Sequence, residues 1–122
     1  ARELPRAVLL DDPAPGVAEL VALTFLAHAV ISPDNGARHV ARAAGKPVLV
    51  LCGPTDPRHT AEHDVRTCVV RVEVDCGPCH RERCPLAGAA HHACMRAIDP
   101  EAAAHAAVEL ARATGAPRAP GA

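Results

Sequence analysis

The sequence predicts an α/β fold in which helices cover a parallel sheet. Short apolar runs alternate along the chain with segments whose apolar residues recur at helical spacing, in the succession strand, helix, strand, helix, strand. Proline, glycine and aspartate bound these runs, which indicates short elements joined by tight connections. Parallel strands connected through helices are the arrangement that this succession favours.

The N-terminal third contains the first three of these elements. Ala7–Leu10 is a short apolar run, and a turn-forming cluster follows it at residues 11–16. From Val17 to His28 the apolar residues fit one face of a helix. Ala29–Ile31 is predicted to be a buried strand, and Pro33 is expected to end it.

The middle of the chain has the most sharply bounded elements. Residues 36–44 are predicted to form a helix, because Gly45 follows them and Pro47 lies just beyond. Val48–Cys52 is the clearest strand, since all five of its residues are apolar. Residues 53–57 are predicted to form a loop.

The C-terminal part is predicted to contain a strand, a long loop and a helix. The strand is Cys68–Val74, and a cysteine-rich loop follows at residues 75–94. The last helix has a good start, with Asp99 as the N-cap and Pro100 at the first helical position. It is expected to end near Thr114.

Length and composition indicate one domain, predicted at residues 1–114 with a disordered tail at residues 115–122. The chain has 122 residues, of which 49% are hydrophobic, but many of these are alanines that bury little area. Phe25 is the only aromatic residue, so the core is expected to be thin. Because the first residue is Ala rather than Met, we expect a processed or truncated chain that is part of a larger protein.

Charge and hydropathy exclude several classes of function. The net charge is −1, with acids and bases interspersed, and the chain has no Trp or Tyr, so nucleic-acid binding is not expected. No apolar run approaches the roughly 20 residues of a membrane span, and the N-terminus lacks a signal-peptide pattern. These observations predict a cytoplasmic protein, with peripheral attachment to the inner membrane as a second option.

The segment Asp34-Asn35-Gly36 lies where a predicted strand meets a predicted helix, and His39 follows one turn later. Ligands of open α/β sheets bind at this end of a strand, where helix N-termini present free N–H groups. Asp34 could accept hydrogen bonds from sugar hydroxyls, and Gly36 would allow close approach of a ligand to the backbone. His39 could donate to a phosphate or a hydroxyl. A purely structural alternative makes Asp34 the N-cap, Gly36 a turn residue and His39 an ordinary helix residue.

A longer stretch of sequence resembles a known family. Residues 31–57, ISPDNGARHVARAAGKPVLVLCGPTDP, are similar to the C-terminal half of the bacterial heptosyltransferases, glycosyltransferase family 9. That family has an Asp-Ser/Thr-Gly-x-x-His-x-Ala motif, which a Gly-x-Pro, an apolar strand and a Gly-Pro-Thr-Asp-Pro-like loop follow. The likeness includes the segment CGPCHRERCPLAGAAHHACMRAIDPE and extends over roughly residues 7–112.

The resemblance implies the GT-B architecture, in which two Rossmann-like domains face each other across a cleft. This chain would be part of the C-terminal domain, which binds a donor such as ADP-heptose. The N-terminal domain would bind a lipopolysaccharide-core acceptor and provide the catalytic base, so no catalytic residue is expected here and the chain alone should be inactive. The resemblance also implies that catalysis requires no cofactor. Because the neighbouring strands would be missing, an exposed apolar sheet edge is expected.

The resemblance assigns donor contacts residue by residue. Asp34, Asn35, Gly36 and His39 would contact the sugar and diphosphate of the donor, and Thr55 would line the mouth of the cleft. Asn35 stands where the family usually has Ser or Thr, so a sugar other than heptose is an alternative. Arg38 stands where the family is usually apolar, and it is expected either to point to solvent or to contact a phosphate.

The cysteine-rich loop suggests a second kind of site. Cys76, Cys79, Cys84 and Cys94 place four thiols within a short segment, and a Cys-x-x-Cys knuckle with two further thiols can hold a structural zinc ion. Reduced thiols, disulfides and an iron–sulfur or redox role are the alternatives. The alternative function is therefore a non-catalytic zinc-binding or interaction module. Cys52 and Cys68 are predicted to be buried hydrophobic residues.

Overall fold

The described part of the chain forms a three-stranded parallel sheet with flanking helices, which confirms the predicted Rossmann-like α/β class. The computed structural model describes residues 7–60 and 66–115, apart from the side chain of Thr60. The strands lie in the order β1-β2-β3 and comprise Val30–Pro33, Val48–Cys52 and Thr67–Arg71. The α-helices, α1 to α5 in chain order, comprise Val17–Leu26, Gly36–Ala43, Pro57–Thr60, Ala93–Arg96 and Pro100–Ala113.

The central strand β2 forms the middle of the core. Its register pairs Val48 with Val30 of β1 and with Thr67 of β3. Alternate residues of β2 face opposite sides of the sheet, as the pleat requires. Val48 and Val50 pack with Ala41 of α2 on one face.

The other face of the sheet packs against the last helix. Leu49 lies there with Ala103 and Ala107 of α5 and with Ile98 just before it. The small alanine side chains allow α5 to approach the sheet closely, but they contribute little apolar area. The core is thin, as the composition predicted.

Both main helices begin and end with recognisable capping residues. Asp99 is the N-cap of α5, and its Oδ1 accepts a hydrogen bond from the Glu101 N–H at 3.0 Å, as predicted. Gly45 has a left-handed φ of 70° just after α2, which confirms the predicted stop. The N-cap of α2 is Asn35, whereas the structural alternative assigned this role to Asp34.

The predicted first strand is wrong. Residues 7–10 have no strand structure, and Val8 and Leu9 are 81% and 80% exposed. A strand is stable only when a neighbour pairs with its backbone, and among residues 7–60 and 66–115 the strand β1 pairs with β2 alone. Ile31 of β1 is exposed as well, which agrees with the expected apolar edge.

Other element boundaries also differ from the prediction. α1 ends two residues before His28, and β3 comprises residues 67–71 instead of 68–74. β1 is shifted to later residues and includes Pro33, which is tolerated at the end of a strand because little further pairing is needed there. A 3-10 turn, Gly88–Ala90, forms within the predicted cysteine-rich loop, and the short helices α3 and α4 begin near the ends of the two predicted loops.

Two features bear on the remaining predictions. Apart from Gly115, the predicted tail lies outside the described residues, as do residues 1–6. Within the described part of the chain, no helix is both long and apolar enough to span a bilayer.

Candidate functional site

A cavity of about 460 Å³ opens at the carboxyl ends of β1 and β2. Asp34, which follows β1, and Thr55, which follows β2, both line it. The cysteine-rich loop forms much of the opposite wall. Because the carboxyl edge of a parallel sheet is where such folds bind ligands, this cavity is the candidate functional site.

The carboxylate of Asp34 is held from two sides. Its Oδ1 lies 2.6 Å from Nε of Arg38, which is four residues later in α2. Its Oδ2 accepts a hydrogen bond from the Thr55 hydroxyl at 2.5 Å. The two contacts fix the orientation of the carboxylate and join the turn after β1 to the turn after β2.

Arg38 does not point to solvent, which was one of its two predicted roles. Its side chain is only 2% exposed, and that of Asp34 is 8% exposed. A buried guanidinium requires a paired charge, because its desolvation is otherwise uncompensated. The ion pair therefore neutralises the charge of Asp34 within the fold.

The segment that carries Thr55 is held by two further interactions. The buried Cys52 thiol lies 3.3 Å from the Thr55 carbonyl oxygen, to which it donates. Just after Thr55, the buried Asp56 accepts hydrogen bonds from Nε and Nη2 of Arg58 and from its backbone N–H. These hydrogen bonds from Arg58 hold the pKa of Asp56 well below its usual range.

The other predicted donor residues lie outside the cavity. Asn35 is exposed, and its Oδ1 accepts hydrogen bonds from the Ala37 N–H at 3.0 Å and from the Ser32 hydroxyl at 3.1 Å. Gly36 does not have a left-handed φ, and a Cβ built on it would meet nothing within 4 Å. His39 is exposed. Of the predicted donor contacts, Asp34 and Thr55 therefore line the cavity, whereas the other three residues lie on the outer surface at the start of α2.

The four cysteines of the predicted zinc site all line the cavity, as free thiols. Their loop approaches the sheet at Gly53, where an added Cβ would lie 2.5 Å from Sδ of Met95 and 3.4 Å from Sγ of Cys94. The glycine therefore lets α4 pack closely against the end of β2 without displacing the Met95 side chain. The Asp34 turn and the cysteine-rich loop are far apart along the sequence and were predicted as separate sites, whereas the structure places both on one cavity.

In the part of the chain that the structure describes, Cys84 is the one predicted zinc thiol that belongs to a group of three ligating side chains. Its Sγ lies with ring nitrogens of His91 and His92 in a group whose atoms are all within 4.8 Å of one another. Among the described residues, Cys76, Cys79 and Cys94 do not join this group. Cys52 is fully buried, and Cys68 is partly buried against the core, in agreement with their prediction as hydrophobic residues.

The Asp34–Arg38 ion pair and the buried Nε of Arg71 were not predicted from the sequence. The Asp34–Arg38 pair could have been found from its i, i+4 spacing of opposite charges. Arg71 lies at the carboxyl end of β3, in register with Cys52, and within residues 7–60 and 66–115 its buried Nε has no hydrogen-bond partner. The available indication in the sequence was a charged residue directly after the apolar run 68–70.

Comparison with models of known protein families matches residues 13–90 to the family described as glycosyltransferase family 9 (heptosyltransferase). The match covers more than half of the chain and includes both turns that form the cavity edge. It ends within the cysteine-rich loop, before His91. No curated protein and no solved structure matches the chain.

Proposed function

Because the chain belongs to glycosyltransferase family 9, we propose that it is the donor-binding part of a transferase that uses ADP-heptose or a related sugar nucleotide. The acceptor would be a lipopolysaccharide-core-type glycan, bound mainly by another domain. The observation that carries this proposal is the hydrogen bond between Asp34 and Thr55 at the cavity edge.

The Asp34 carboxylate is suited to bind sugar hydroxyls. It lines the cavity, and an ionised carboxylate is an acceptor-only group that matches the O–H donors of a sugar. The Arg38 guanidinium compensates the negative charge, which reduces repulsion between the carboxylate and an anionic donor. A neutralised and oriented carboxylate can therefore bind a sugar beside a diphosphate.

The start of α2 is suited to bind the diphosphate. The first turn of a helix presents backbone N–H groups and the positive end of the helix dipole, both of which favour an anion. The open space around Gly36 leaves room for phosphate oxygens next to the backbone. His39 lies one turn further on and is exposed, so its imidazole is available to a group bound at the surface.

The sugar and the diphosphate of the donor would therefore bind to different residues. In our proposal the sugar lies towards the cavity near Asp34 and Thr55, and the diphosphate lies near Asn35, Gly36 and His39. The helix N-terminus would stabilise the diphosphate as it leaves, while a base from the other domain activates the acceptor hydroxyl. No residue of this chain is proposed to be catalytic.

The proposal is tested by titrating the purified protein with ADP and with ADP-heptose, followed by protein NMR. Shifts should concentrate on residues 34–39 and on Thr55, and the Asp34→Asn variant should lose affinity for ADP-heptose more than for ADP. A lost hydrogen bond to a charged group corresponds to about 1.5–3 kcal/mol, or roughly tenfold or more in Kd. His39→Ala should weaken both ligands.

The matched control is His105→Ala, because His105 is also an exposed helical histidine but lies on α5. It should leave both affinities unchanged. If a folded sample shows no shifts with either ligand, or if His105→Ala and His39→Ala behave alike, the proposed donor site is wrong. The alternative, a zinc-binding or interaction module built on the cysteine-rich loop, would then be the better description.

A further inference from the structure

Three metal-ligating side chains converge in the cysteine-rich loop, and two of them line a part of the cavity wall that the proposed donor contacts do not use. They are Cys84, His91 and His92, and one ligating atom of each lies within 4.8 Å of the other two. Cys84 and His92 also line the cavity. The backbone N–H of His92 donates a hydrogen bond to Sγ of Cys84 at 3.3 Å, which orients the sulfur within the group.

The backbone at His92 has an unusual conformation that brings the two histidines together. Its φ of 53° and ψ of 30° lie in the left-handed region, which carries a steric cost for a residue with a Cβ. Consecutive side chains normally point in different directions, in helices and strands alike. Here the rings of His91 and His92 stack, with centroids 4.0 Å apart and an angle of 26° between their planes.

The ligand set and its spacing fit zinc. One thiolate and two imidazoles are the soft and borderline ligands that Zn²⁺ prefers, whereas Mg²⁺ prefers oxygen. Zinc–sulfur and zinc–nitrogen bonds of about 2.3 and 2.0–2.1 Å place tetrahedral ligand atoms roughly 3.3–3.6 Å apart. The three atoms, which lie within 4.8 Å of one another, would need to approach by up to about 1.5 Å, which side-chain rotation in an exposed loop can provide.

We propose that Cys84, His91 and His92 bind one Zn²⁺ ion, with three protein ligands and a fourth position open towards the cavity. This set differs from the four-thiol site predicted from the sequence, because it uses both histidines and only one of the four cysteines. Coordination would deprotonate the Cys84 thiol and release its proton to solvent. Water would occupy the fourth position when no other ligand is present.

The test is a titration of the purified, reduced protein with Co²⁺ as a spectroscopic probe, followed by competition with Zn²⁺. The expected result is one metal ion per chain, with visible bands of a tetrahedral ion and a charge-transfer band from a single thiolate. Cys84→Ser, His91→Ala and His92→Ala should each lower metal affinity about tenfold or more. Cys68→Ser and His105→Ala are the matched controls and should bind metal normally.

One further variant separates metal binding from a structural role of the histidine. His92→Asn keeps a side chain that tolerates the left-handed conformation but removes the imidazole. This variant should keep the thermal stability of the metal-free protein and still lose metal affinity.

Two results would overturn the proposal. The first is a folded protein that binds neither Co²⁺ nor Zn²⁺. The second is loss of binding in Cys76→Ser, Cys79→Ser or Cys94→Ser together with normal binding in both histidine variants, which would establish the four-thiol site instead. Neither result depends on donor binding, so this test is independent of the proposed transferase function.

Discussion

The hydroxyl of Thr55 donates a hydrogen bond to the carboxylate of Asp34 and thereby connects two turns that are 21 residues apart in the chain. The connection lies at the carboxyl edge of the sheet, on the border of the cavity. Since Arg38 holds the other oxygen of the same carboxylate, the two turns and the first part of α2 form one hydrogen-bonded unit.

Replacing Thr55 by Val should destabilise this unit. The substitution keeps the branched shape but leaves one oxygen of a nearly buried carboxylate without its donor, at a cost of about 1–3 kcal/mol. Urea denaturation should show a lower midpoint with an unchanged slope. Thr55→Ser retains the hydroxyl and is the control, so equal stability of the two variants would show that the hydrogen bond contributes nothing.

Removing the guanidinium of Arg38 should have a larger effect. Arg38→Met leaves the Asp34 carboxylate without its compensating charge in a nearly buried position, which typically costs about 3–5 kcal/mol. Adding Asp34→Asn should recover part of this loss, because no unpaired charge then remains. Chemical denaturation of both single variants and the double variant gives the coupling energy. Additive effects of the two substitutions would contradict the ion pair.

Gly53→Ala should destabilise the packing of the cysteine-rich loop on the sheet. The new Cβ would lie 2.5 Å from Sδ of Met95, and such overpacking costs about 1–3 kcal/mol. Shortening the opposing side chain in Gly53→Ala/Met95→Ala should relieve the clash, although it also removes apolar contacts of Met95. Thermal denaturation monitors all variants. Gly36→Ala is the control, because its Cβ meets nothing and its φ is not left-handed, so no loss of stability is expected.

The ion pair between Asp56 and Arg58 predicts a pH dependence of stability. Because the folded pKa of Asp56 is depressed below its usual value of 3.8, its stabilising contribution is fully present above that pH. The contribution is lost as pH falls from about 4 towards the folded pKa. The stability difference between the parent protein and Asp56→Asn should therefore be constant near neutral pH and shrink below about pH 4. A difference that stays constant down to pH 2.5 would contradict the depressed pKa.

Local patterns in the sequence were sufficient for the elements that depend on neighbouring residues. The five apolar residues of β2 between Pro47 and Gly53 form the central strand, and the Asp99-Pro100 pair begins α5. Gly45 ends α2 because it adopts the left-handed conformation that is typical of a glycine after a helix. For the two helix ends, the determining interactions are within a few residues along the chain. The family could also be inferred from short motifs, since residues 31–57 fall within the matched segment.

Only the tertiary structure decided the features that depend on distant partners. Residues 7–10 have the composition of a strand but are exposed, because pairing requires a neighbouring backbone. Arg38 is buried because Asp34 compensates its charge there. His91 and His92 share one side of the chain only through the left-handed backbone at His92. Strand pairing, compensation of buried charge and side-chain direction depend on three-dimensional contacts, and adjacent residues alone do not determine them.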